Sequence, residues 1–493
     1  MEELREVLYM KKIKPDLISK NYKTLCNYFS KMLFKRKLLI FLCSVLLLWS
    51  VLDQFSSSKN SNLRVNSVPS DSYGATLVST IGSNRATGYR QSNKILEFEN
   101  GYLITYLESD GSNVDVILEH YDYMENLLSR VNIGKADNNH GGAAIAIDRA
   151  GYLHILYGPH GTPMRYRRSK EPNQYTKFTN EIEFGEALTY PSILINKNNE
   201  LIIAARGGTG SQRRAGSIEI WKKSYDTQFI RVSTPVVNRE KGYAAFNPSI
   251  AVDSQDQIHM LALVHEGTND VGYGLYQALI YLVSKDGGYT WENSKGKKLE
   301  SFANVEEIGP FYEGGLSSNV VVNSGVVAIS PSDTVLVNFS TQASNDLVSD
   351  FYVGMLTDSN WELIRVGNDK GIFDDRYIIS DPGVIVATED GNVSFALGMQ
   401  DISLEDIDPW VGVSWGHPTN FIVHGTLDLT SGETTAKMLQ PSSILGPYWL
   451  PNIGRTSTWG LETKKPKRII FTHGDPNGGY FAGFRNVYVS DLN

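Results

Sequence analysis

Two histidines on either side of a predicted hairpin are the residues best suited to chemistry in this chain. His140 precedes the apolar run Ala144–Ile147, His160 follows the run 152–157, and a turn at 148–151 separates the two runs. Alternation around such a turn predicts a β-hairpin, whose two ends opposite the turn lie at one sheet edge. Because histidine exchanges protons near neutral pH, the pattern favours a proton-transfer pair. Two unrelated polar loop residues are the alternative.

Arginines form a second group of candidates. Arg206 is followed by two glycines, and its planar guanidinium is suited to gripping a carboxylate. A solvated surface arginine would show the same pattern. Arg165, Arg167 and Arg168 make a basic cluster shortly after His160, and we expect at least one of them to face a substrate, with the others in surface ion pairs.

The remaining histidines differ in their expected roles. His265 ends its strand as His160 does and is a third candidate for the site. His154 and His259 occupy the same position in two repeats, in Leu-His-Ile and Ile-His-Met, which favours packing. No two histidines have a short chelating spacing, so we predict no metal site and no cofactor, with a structural divalent cation left open.

A strand–turn–strand unit recurs along the chain after residue 75. Its first apolar residues after the turn are 48 to 77 residues apart. Seven such units predict an all-β fold, a seven-bladed β-propeller, closed by pairing 75–81 with 486–490. The units span 95–106, 144–157, 192–205, 249–263, 326–339, 384–397 and, weakly, 467–473.

The octapeptide Ser284-Lys-Asp286-Gly-Gly288-Tyr-Thr-Trp291 is a complete Asp-box. Its serine and aspartate are expected to bind the backbone amides of the turn, and a glycine supplies a positive φ. The tryptophan is expected to pack on the neighbouring sheet. Partial copies trail other units, at Ser169, Ser224 and Thr357. The motif is structural and predicts no catalytic residue.

Four segments together resemble the BNR-repeat family that includes the propeller-type ulvan lyases. They are 139–172, Tyr190-Pro191, Arg206-Gly-Gly and 284–298, and the similarity is strongest over residues 90–300. The resemblance implies cleavage of a uronate-containing, ulvan-like polysaccharide by β-elimination, in a groove across one face of the propeller. An acidic polysaccharide is then the expected partner.

The resemblance also implies the site residues. His140 and His160 match paired histidines of the family and are expected to transfer protons or contact the carboxylate, while Arg206 neutralises it. The family's tyrosine directly before the Arg-Gly-Gly turn is replaced by Ala205, so Tyr190 or Tyr157 is the alternative. We select Tyr190. The expected substrate-binding residues are Arg165, Arg167, His265 and Lys222.

Two other functions remain open at this point. One is a glycoside hydrolase, either a sialidase, which the Asp-box alone would also suggest, or a retaining or inverting hydrolase, which needs two facing carboxylates. The candidates for those carboxylates are Asp374, Asp375, Glu405, Asp406 and Asp408. No Arg-Ile-Pro motif of the sialidase type occurs. A non-catalytic, surface-anchored carbohydrate-binding propeller is favoured by the missing tyrosine.

An apolar run of 15 residues, 38–52, follows the basic triplet 35–37. As a helix it would be about 22 Å long, against about 30 Å for a bilayer core. We predict an uncleaved signal anchor with the amino terminus inside, or alternatively a cleaved signal that starts at Met32. The chain then divides into a basic cytoplasmic segment 1–37, a membrane segment 38–52, a linker 53–74 and the propeller 75–493. It is either a single-pass membrane protein with an extracytoplasmic domain or secreted.

Charge and cysteine content restrict the partners further. The net charge is −8, and residues 1–37 carry ten Lys and Arg against four Asp and Glu, which leaves −14 for the remainder. So acidic a surface argues against nucleic acid as a partner and requires a local basic pocket for an acidic polymer. Cys26 and Cys43 are the only cysteines, so the expected exported part has no disulfide.

Overall fold

The computed structural model describes residues 75–208, 216–239, 247–268, 274–343, 348–366, 376–403, 416–439, 447–461 and 464–492. The expected segments 1–37, 38–52 and 53–74 lie outside these residues. Within the described ranges, no helix is long and apolar enough to cross a membrane.

Strands make up most of the described chain. In order they are β1 Ala75–Gly82, β2 Ile95–Phe98, β3 Gly101–Ser109, β4 Val114–Asp122, β5 Leu127–Ala136, β6 Ala144–Ile147, β7 Leu153–Tyr157, β8 Thr162–Arg168, β9 Ile182–Ile195, β10 Leu201–Gly207, β11 Ser217–Lys223, β12 Ile230–Val237, β13 Ser249–Val252, β14 Ile258–Thr268, β15 Gly274–Ser284, β16 Trp291–Asn293, β17 Lys298–Leu299, β18 Tyr312–Gly314, β19 Val320–Ile329, β20 Val335–Ala343, β21 Ser349–Thr357, β22 Asn360–Val366, β23 Tyr377–Ala387, β24 Asn392–Asp401, β25 Asn420–Asp428, β26 Thr434–Leu439, β27 Tyr448–Ile453, β28 Arg468–His473 and β29 Arg485–Asp491. A one-turn helix, α1 Val305–Ile308, and a 3-10 helix, Leu316–Ser318, lie between β17 and β19.

The strands form five sheets, in which they pair antiparallel. The sheet orders are β27-β28-β29-β1-β3-β4-β5 with β2 beside β3, β12-β11-β10-β9-β8-β7-β6, β13-β14-β15-β16-β17 with β18 beside β15, β19-β20-β21-β22, and β23-β24-β25-β26. The predicted closure is confirmed, because β1 pairs with β29 in the register Ala75↔Ser490. Joining the first and last described strands removes a free sheet edge.

The hairpin of β6 and β7 is present as the alternation predicted. Ala144 pairs with Leu156 and Ile147 with Leu153. In its turn, Asp148 Oδ1 accepts hydrogen bonds from the amides of Ala150 and Tyr152, both at 2.9 Å. The side chain thus fixes a tight turn by binding the backbone two and four residues ahead.

The last unit, weak in the sequence, is also a hairpin. β28 pairs with β27, and the pairing shifts register between Trp449 and Asn452. Leu450 lies inside this irregularity with φ +55°. A bulge breaks strict alternation, which explains why the pattern did not predict β27.

The Asp-box has the predicted geometry. Asp286 Oδ1 accepts from the amides of Tyr289 (3.1 Å) and Thr290 (2.9 Å), and Ser284 Oγ accepts from the Gly288 amide at 2.8 Å. The buried Trp291 donates from Nε1 to Ser233 Oγ of β12 at 3.1 Å. The turn therefore ties one sheet to its neighbour.

Apolar side chains of successive sheets pack against each other to form the core. One continuous cluster joins Leu336 and Phe351 to Phe395 of the next sheet and Phe471 beyond it. A strand that lies inside its sheet, such as β10, is buried along its whole length. The strand β5, at the outer end of its sheet, alternates between exposed and covered residues. This difference is expected when only one face of an outer strand is covered.

The connection between β1 and β2, residues 83–94, is almost wholly buried and is called the axial segment below. Thr87 Oγ1 donates to Leu450 O at 2.8 Å, Arg90 forms an ion pair with Asp381 at 3.1 Å, and Ser92 donates to Pro191 O. Its partners belong to β27, β23 and β9. Sheets from different parts of the chain therefore surround this segment in a propeller-like arrangement.

Candidate active site

The imidazoles of His140 and His160 converge, as the hairpin pattern predicts. Their rings stack with centroids 4.0 Å apart and an interplanar angle of 5°. His140 is buried, whereas His160 is only half-buried. Of the two rings, that of His160 is therefore the more accessible to a ligand.

Asn138 joins the two rings and determines where their protons lie. Its Oδ1 accepts from the backbone N–H of His140 at 2.9 Å, which fixes the orientation of the amide because that N–H only donates. The same Oδ1 lies 3.0 Å from His140 Nδ1, which must therefore donate. Asn138 Nδ2 donates to His160 Nδ1 at 2.7 Å. The remaining proton of a neutral His160 is then on Nε2.

Arg85 completes this chain of hydrogen bonds. Its Nη1 lies 2.6 Å from His140 Nε2, and a guanidinium can only donate. Both nitrogens of His140 are thus engaged, one as donor and one as acceptor, which is the pattern of a neutral imidazole. His160 Nε2–H is left as the donor that a substrate can use.

Burial and positive charge keep both rings neutral. The pKa of His140 is lowered to about 2, mainly by burial and then by Arg85, His160 and Arg206. The pKa of His160 is lowered by burial, Arg206 and Arg85, and Asp137 opposes this shift. The site is consequently cationic through its arginines, and its histidines add no charge.

Tyr190 and Arg206 lie beside the histidines on paired strands. Arg206 is opposite Thr189 in the β9–β10 register, and its guanidinium lies 4.7 Å from the Tyr190 ring centroid. Tyr190 has φ +57°, a conformation unfavourable for a bulky residue. Its ring is 6.2 Å from that of His140. The local fold therefore holds strain that directs this side chain towards the histidines.

The sequence did not predict three neighbours of the pair. Arg85 and Tyr89 come from the axial segment, which has no periodic pattern; the Tyr89 ring lies 5.9 Å from that of His140 and 4.8 Å from that of Tyr190. Tyr480 lies in the connection between β28 and β29, edge-on to His140 at 5.4 Å and to His160 at 5.7 Å.

Tyr480 is 55% exposed but is held by its backbone. Its carbonyl accepts from the Asn139 amide at 3.0 Å, and Asn84 Nδ2 donates to Pro476 O of the same connection at 2.6 Å. An exposed aromatic ring on an anchored loop is suited to stacking on a sugar. In the sequence, the nearby aromatic residues Phe481 and Phe484 could have indicated an aromatic surface in this connection. Both are exposed in the structure.

The two predicted substrate-binding arginines of β8 have different surroundings. Arg165 forms an ion pair next to His160, whereas Arg167 lies to the side of the site. Arg165 Nη2 binds Asp137 Oδ1 at 2.8 Å, and the other carboxylate oxygen of Asp137 accepts from the His160 amide at 3.1 Å. Arg165 thus supports His160 through Asp137. Arg167 donates to Tyr157 Oη at 3.1 Å and is not brought to the pair.

Lys222 and His265 lie elsewhere. Lys222 pairs with Glu200 at 2.7 Å and is opposite Ile202, four residues and about 13 Å along β10 from Arg206. His265 Nε2 lies 3.1 Å from Gln277 Nε2, and burial and Arg90 lower its pKa to about 4. Neither residue contacts the histidine pair among the described contacts.

Of the two alternative tyrosines, only Tyr190 lies next to the pair. The hydroxyl of Tyr157 donates to Glu181, and its ring is fully buried. Ala205 is buried in β10. The acidic candidates Asp374, Asp375, Glu405, Asp406 and Asp408 lie outside the described residues.

His154 and His259 make the same contacts in two repeats, as expected for a packing position. Each Nδ1 meets a tyrosine hydroxyl, Tyr166 at 2.8 Å and Tyr281 at 2.7 Å. Each Nε2 faces the aspartate of the adjacent turn. In the part of the chain that the structure describes, no group of three or more His, Cys, Asp or Glu residues is arranged to hold a metal ion.

Residues 104–369, more than half of the chain, match the sequence model of the BNR repeat-containing family. The chain belongs to this family. No curated protein matches its sequence. Among solved structures, an ulvan lyase of polysaccharide lyase family PL25 is similar with a TM-score of 0.59 at 11% identity, over 84% of this chain and 95% of that one. The same enzyme type bound to -[GlcA(1-4)Rha3S]- has a TM-score of 0.59 at 10% identity, with the same two coverages.

A further polysaccharide lyase, Uly1, has a TM-score of 0.53 at 13% identity, over 86% of this chain and 100% of that one. These three solved structures share the all-β fold of the chain. At such identities the likeness is one of fold, and the reaction has to be argued from the site.

Proposed function

We propose that this protein is a polysaccharide lyase that cleaves a uronate-containing polysaccharide by β-elimination. The observation that carries the proposal is the stack of two neutral imidazoles between Arg85, Arg206 and Tyr190. It supplies positive charge, a hydrogen-bond donor and a proton-transfer group within one cluster.

β-Elimination makes three demands on such a cluster. The proton next to the uronate carboxylate leaves to a base, and its electron pair forms the ring double bond. The bond to the glycosidic oxygen breaks, and an acid protonates that oxygen. The carboxylate must be neutralised so that negative charge can develop beside it. Positioned proton-transfer groups contribute about 10²–10⁴ each in rate.

We assign the parts as follows. Tyr190, as its phenolate, removes the proton and, as the neutral phenol so formed, returns it to the departing oxygen; we choose it since it is the strained tyrosine beside the histidines. His160 donates from Nε2 to the carboxylate, and His140 with Asn138 holds it in that tautomer. Arg206 and the more exposed Arg85 neutralise the developing charge.

The substrate class follows from charge and shape. Two arginines and neutral histidines favour an anion, and Tyr480 offers a face for a sugar ring. A similar structure is an ulvan lyase bound to an oligosaccharide that contains GlcA and Rha3S. These points support an acidic, ulvan-like polymer as the substrate of this chain.

We further propose that the sheets divide into seven four-stranded blades, with β27, β28, β29 and β1 as the blade that closes the ring. The two large sheets would each contain two adjacent blades, and β9 would pass from one blade to the next. We also propose that residues 38–52 anchor the protein. Membrane fractionation of the full chain and of a variant that lacks 38–52 tests the anchor.

A non-catalytic carbohydrate-binding protein is the second candidate. The observation that favours it is burial, because Arg206 is 2% exposed, Tyr190 5% and His140 7%. A binding protein would need only His160, Arg85 and Tyr480 at the surface.

One experiment separates these functions. The protein is incubated with ulvan and other uronate polymers, and the ultraviolet absorbance of unsaturated uronate ends is followed. Growth of the signal in wild type and its loss in Tyr190→Phe supports the lyase. New reducing ends without unsaturation indicate a hydrolase, and retention on the polymer without cleavage indicates a binding protein.

A further inference from the structure

A cavity lies beside the later part of the axial segment, and neither His140 nor His160 lines it. It has a volume of about 550 Å³, within the range of about 300–1,000 Å³ that is usual for ligand pockets. Along the axial segment Arg85 and Tyr89 contact the histidine cluster, whereas Gln91 and Asn93 line the cavity. Its apolar walls come from β9, β13, β19 and β23 and include Ile193, Ile250, Val327 and Ile385.

Arg455 brings a positive charge to this cavity without a carboxylate partner among the described residues. Its Nε donates to Asn93 Oδ1 and its Nη2 to Arg90 O at 2.7 Å, which fixes the guanidinium. Nη1 is buried and has no hydrogen-bond partner in the part of the chain that the structure describes. Burial lowers the pKa of Arg455 to about 9.

Gln91 is the second unusual group. The residue is 2% exposed, and neither Nε2 nor Oε1 has a hydrogen-bond partner within the described ranges. An unpaired buried polar group is destabilising, and such groups in native proteins call for a functional explanation. Here one amide leaves both a donor and an acceptor unused beside the cavity.

Two of the acidic groups that line the cavity already accept hydrogen bonds from backbone amides, Asp253 within its own turn and Asp333 from a neighbouring one. Asp253 binds the amides of Gln255 (3.0 Å) and Gln257 (2.7 Å), and Asp333 binds the amide of Ser254 at 2.9 Å. Together with Glu389 they line the cavity, and their negative charges disfavour a polyanion. A ligand with a single negative charge that reaches the buried guanidinium of Arg455 fits this lining better than a polyanion does.

We propose that this cavity binds a small organic carboxylate of monosaccharide size, such as a hexuronate. Arg455 Nη1 binds the carboxylate, and the Gln91 amide bonds a hydroxyl as both donor and acceptor. The aliphatic walls cover the apolar faces of the ring. The site is independent of the proposed lyase reaction, because none of the histidine cluster lines it.

Isothermal titration of the full-length protein with glucuronate tests this inference, with glucose as the neutral match. We expect saturable binding of one glucuronate per chain and at least tenfold weaker binding of glucose. Gln91→Leu should weaken glucuronate binding at least tenfold without lowering the unfolding temperature, since it removes two unpartnered polar atoms. Arg455→Lys, which keeps the charge but not the Nη1 donor, should weaken it as well.

His160→Ala separates the two sites, since it should leave glucuronate binding unchanged, while Gln91→Leu should leave any lyase activity unchanged. No saturable binding to the wild type would mean a cavity that holds only water and would overturn the proposal. So would binding that survives both cavity variants, or binding that His160→Ala abolishes.

Discussion

Acid should destabilise this protein through histidines that stay neutral in the fold, and His140 is the clearest case. Its pKa is about 2 when folded, against about 6.5 for a free histidine. The unfolded chain therefore binds a proton below pH 6.5 that the folded chain does not. Stability is retained above that pH and is lost as the pH falls from 6.5 towards 2.

The magnitude follows from proton linkage. Between pH 7.5 and 5.5, a histidine that titrates only when unfolded lowers the free energy of unfolding by about 1.3 kcal/mol. His424, buried in another sheet with a pKa of about 4, should lose the same amount over this range. The two residues share no hydrogen-bond partner, so their effects should add.

Urea unfolding at the two pH values measures these losses. His140→Gln and His424→Gln should each remove about 1.3 kcal/mol of the wild-type difference, and the double variant about 2.6 kcal/mol. If His424→Gln reduces the pH dependence of the unfolding free energy as expected and His140→Gln does not, His140 is protonated in the folded protein. The hydrogen-bond chain from Arg85 to His160 would then be wrong.

Three further predictions concern the site and its support. Asn138→Asp places an acceptor against His160 Nδ1, so that nitrogen takes the proton and the neutral ring can no longer donate from Nε2; we expect lyase activity to be lost as the pH rises and the ring becomes neutral, and a pH–rate profile like that of the wild type would contradict the tautomer assignment. Tyr480→Ala should raise KM several-fold with little change in kcat, because a stacking contact acts on ground state and transition state alike; a loss confined to kcat would count against stacking. Trp291→Ala should lower the free energy of unfolding by about 3–5 kcal/mol in thermal or urea unfolding, because the packing of this side chain between sheets is lost, while activity at low temperature persists. A decrease below about 1 kcal/mol would show that this packing contributes little.

Local patterns in the sequence were enough to predict the hairpins and the convergence of His140 and His160. Alternation and turn residues act over a few positions, so they can be recognised without knowledge of the remaining chain. The partners that come from far away in sequence could not be found in this way. Arg85 lies in an aperiodic segment, and Tyr480 reaches the site only because β28 and β29 pair beside β1.

Two of the predicted substrate-binding residues are not brought to the histidine pair, because their strands carry the side chains elsewhere. Lys222 lies on the strand next to Arg206 but at its other end, where Glu200 neutralises it. Arg167 is two residues from Arg165 on the same strand, yet it bonds to Tyr157 instead of Asp137. Spacing along the chain does not reveal which end of a strand faces the histidines.

The central claim is that the cluster around His140 and His160 performs β-elimination on a uronate polymer. The most direct measurement is the ultraviolet absorbance of unsaturated uronate ends, followed on ulvan with wild type, Tyr190→Phe and, as a matched control, Tyr157→Phe. The proposed reaction predicts steady growth of the signal in wild type and in the control, and a loss of at least 10²-fold in Tyr190→Phe. Cleavage without unsaturated ends, or equal rates in wild type and Tyr190→Phe, would contradict it.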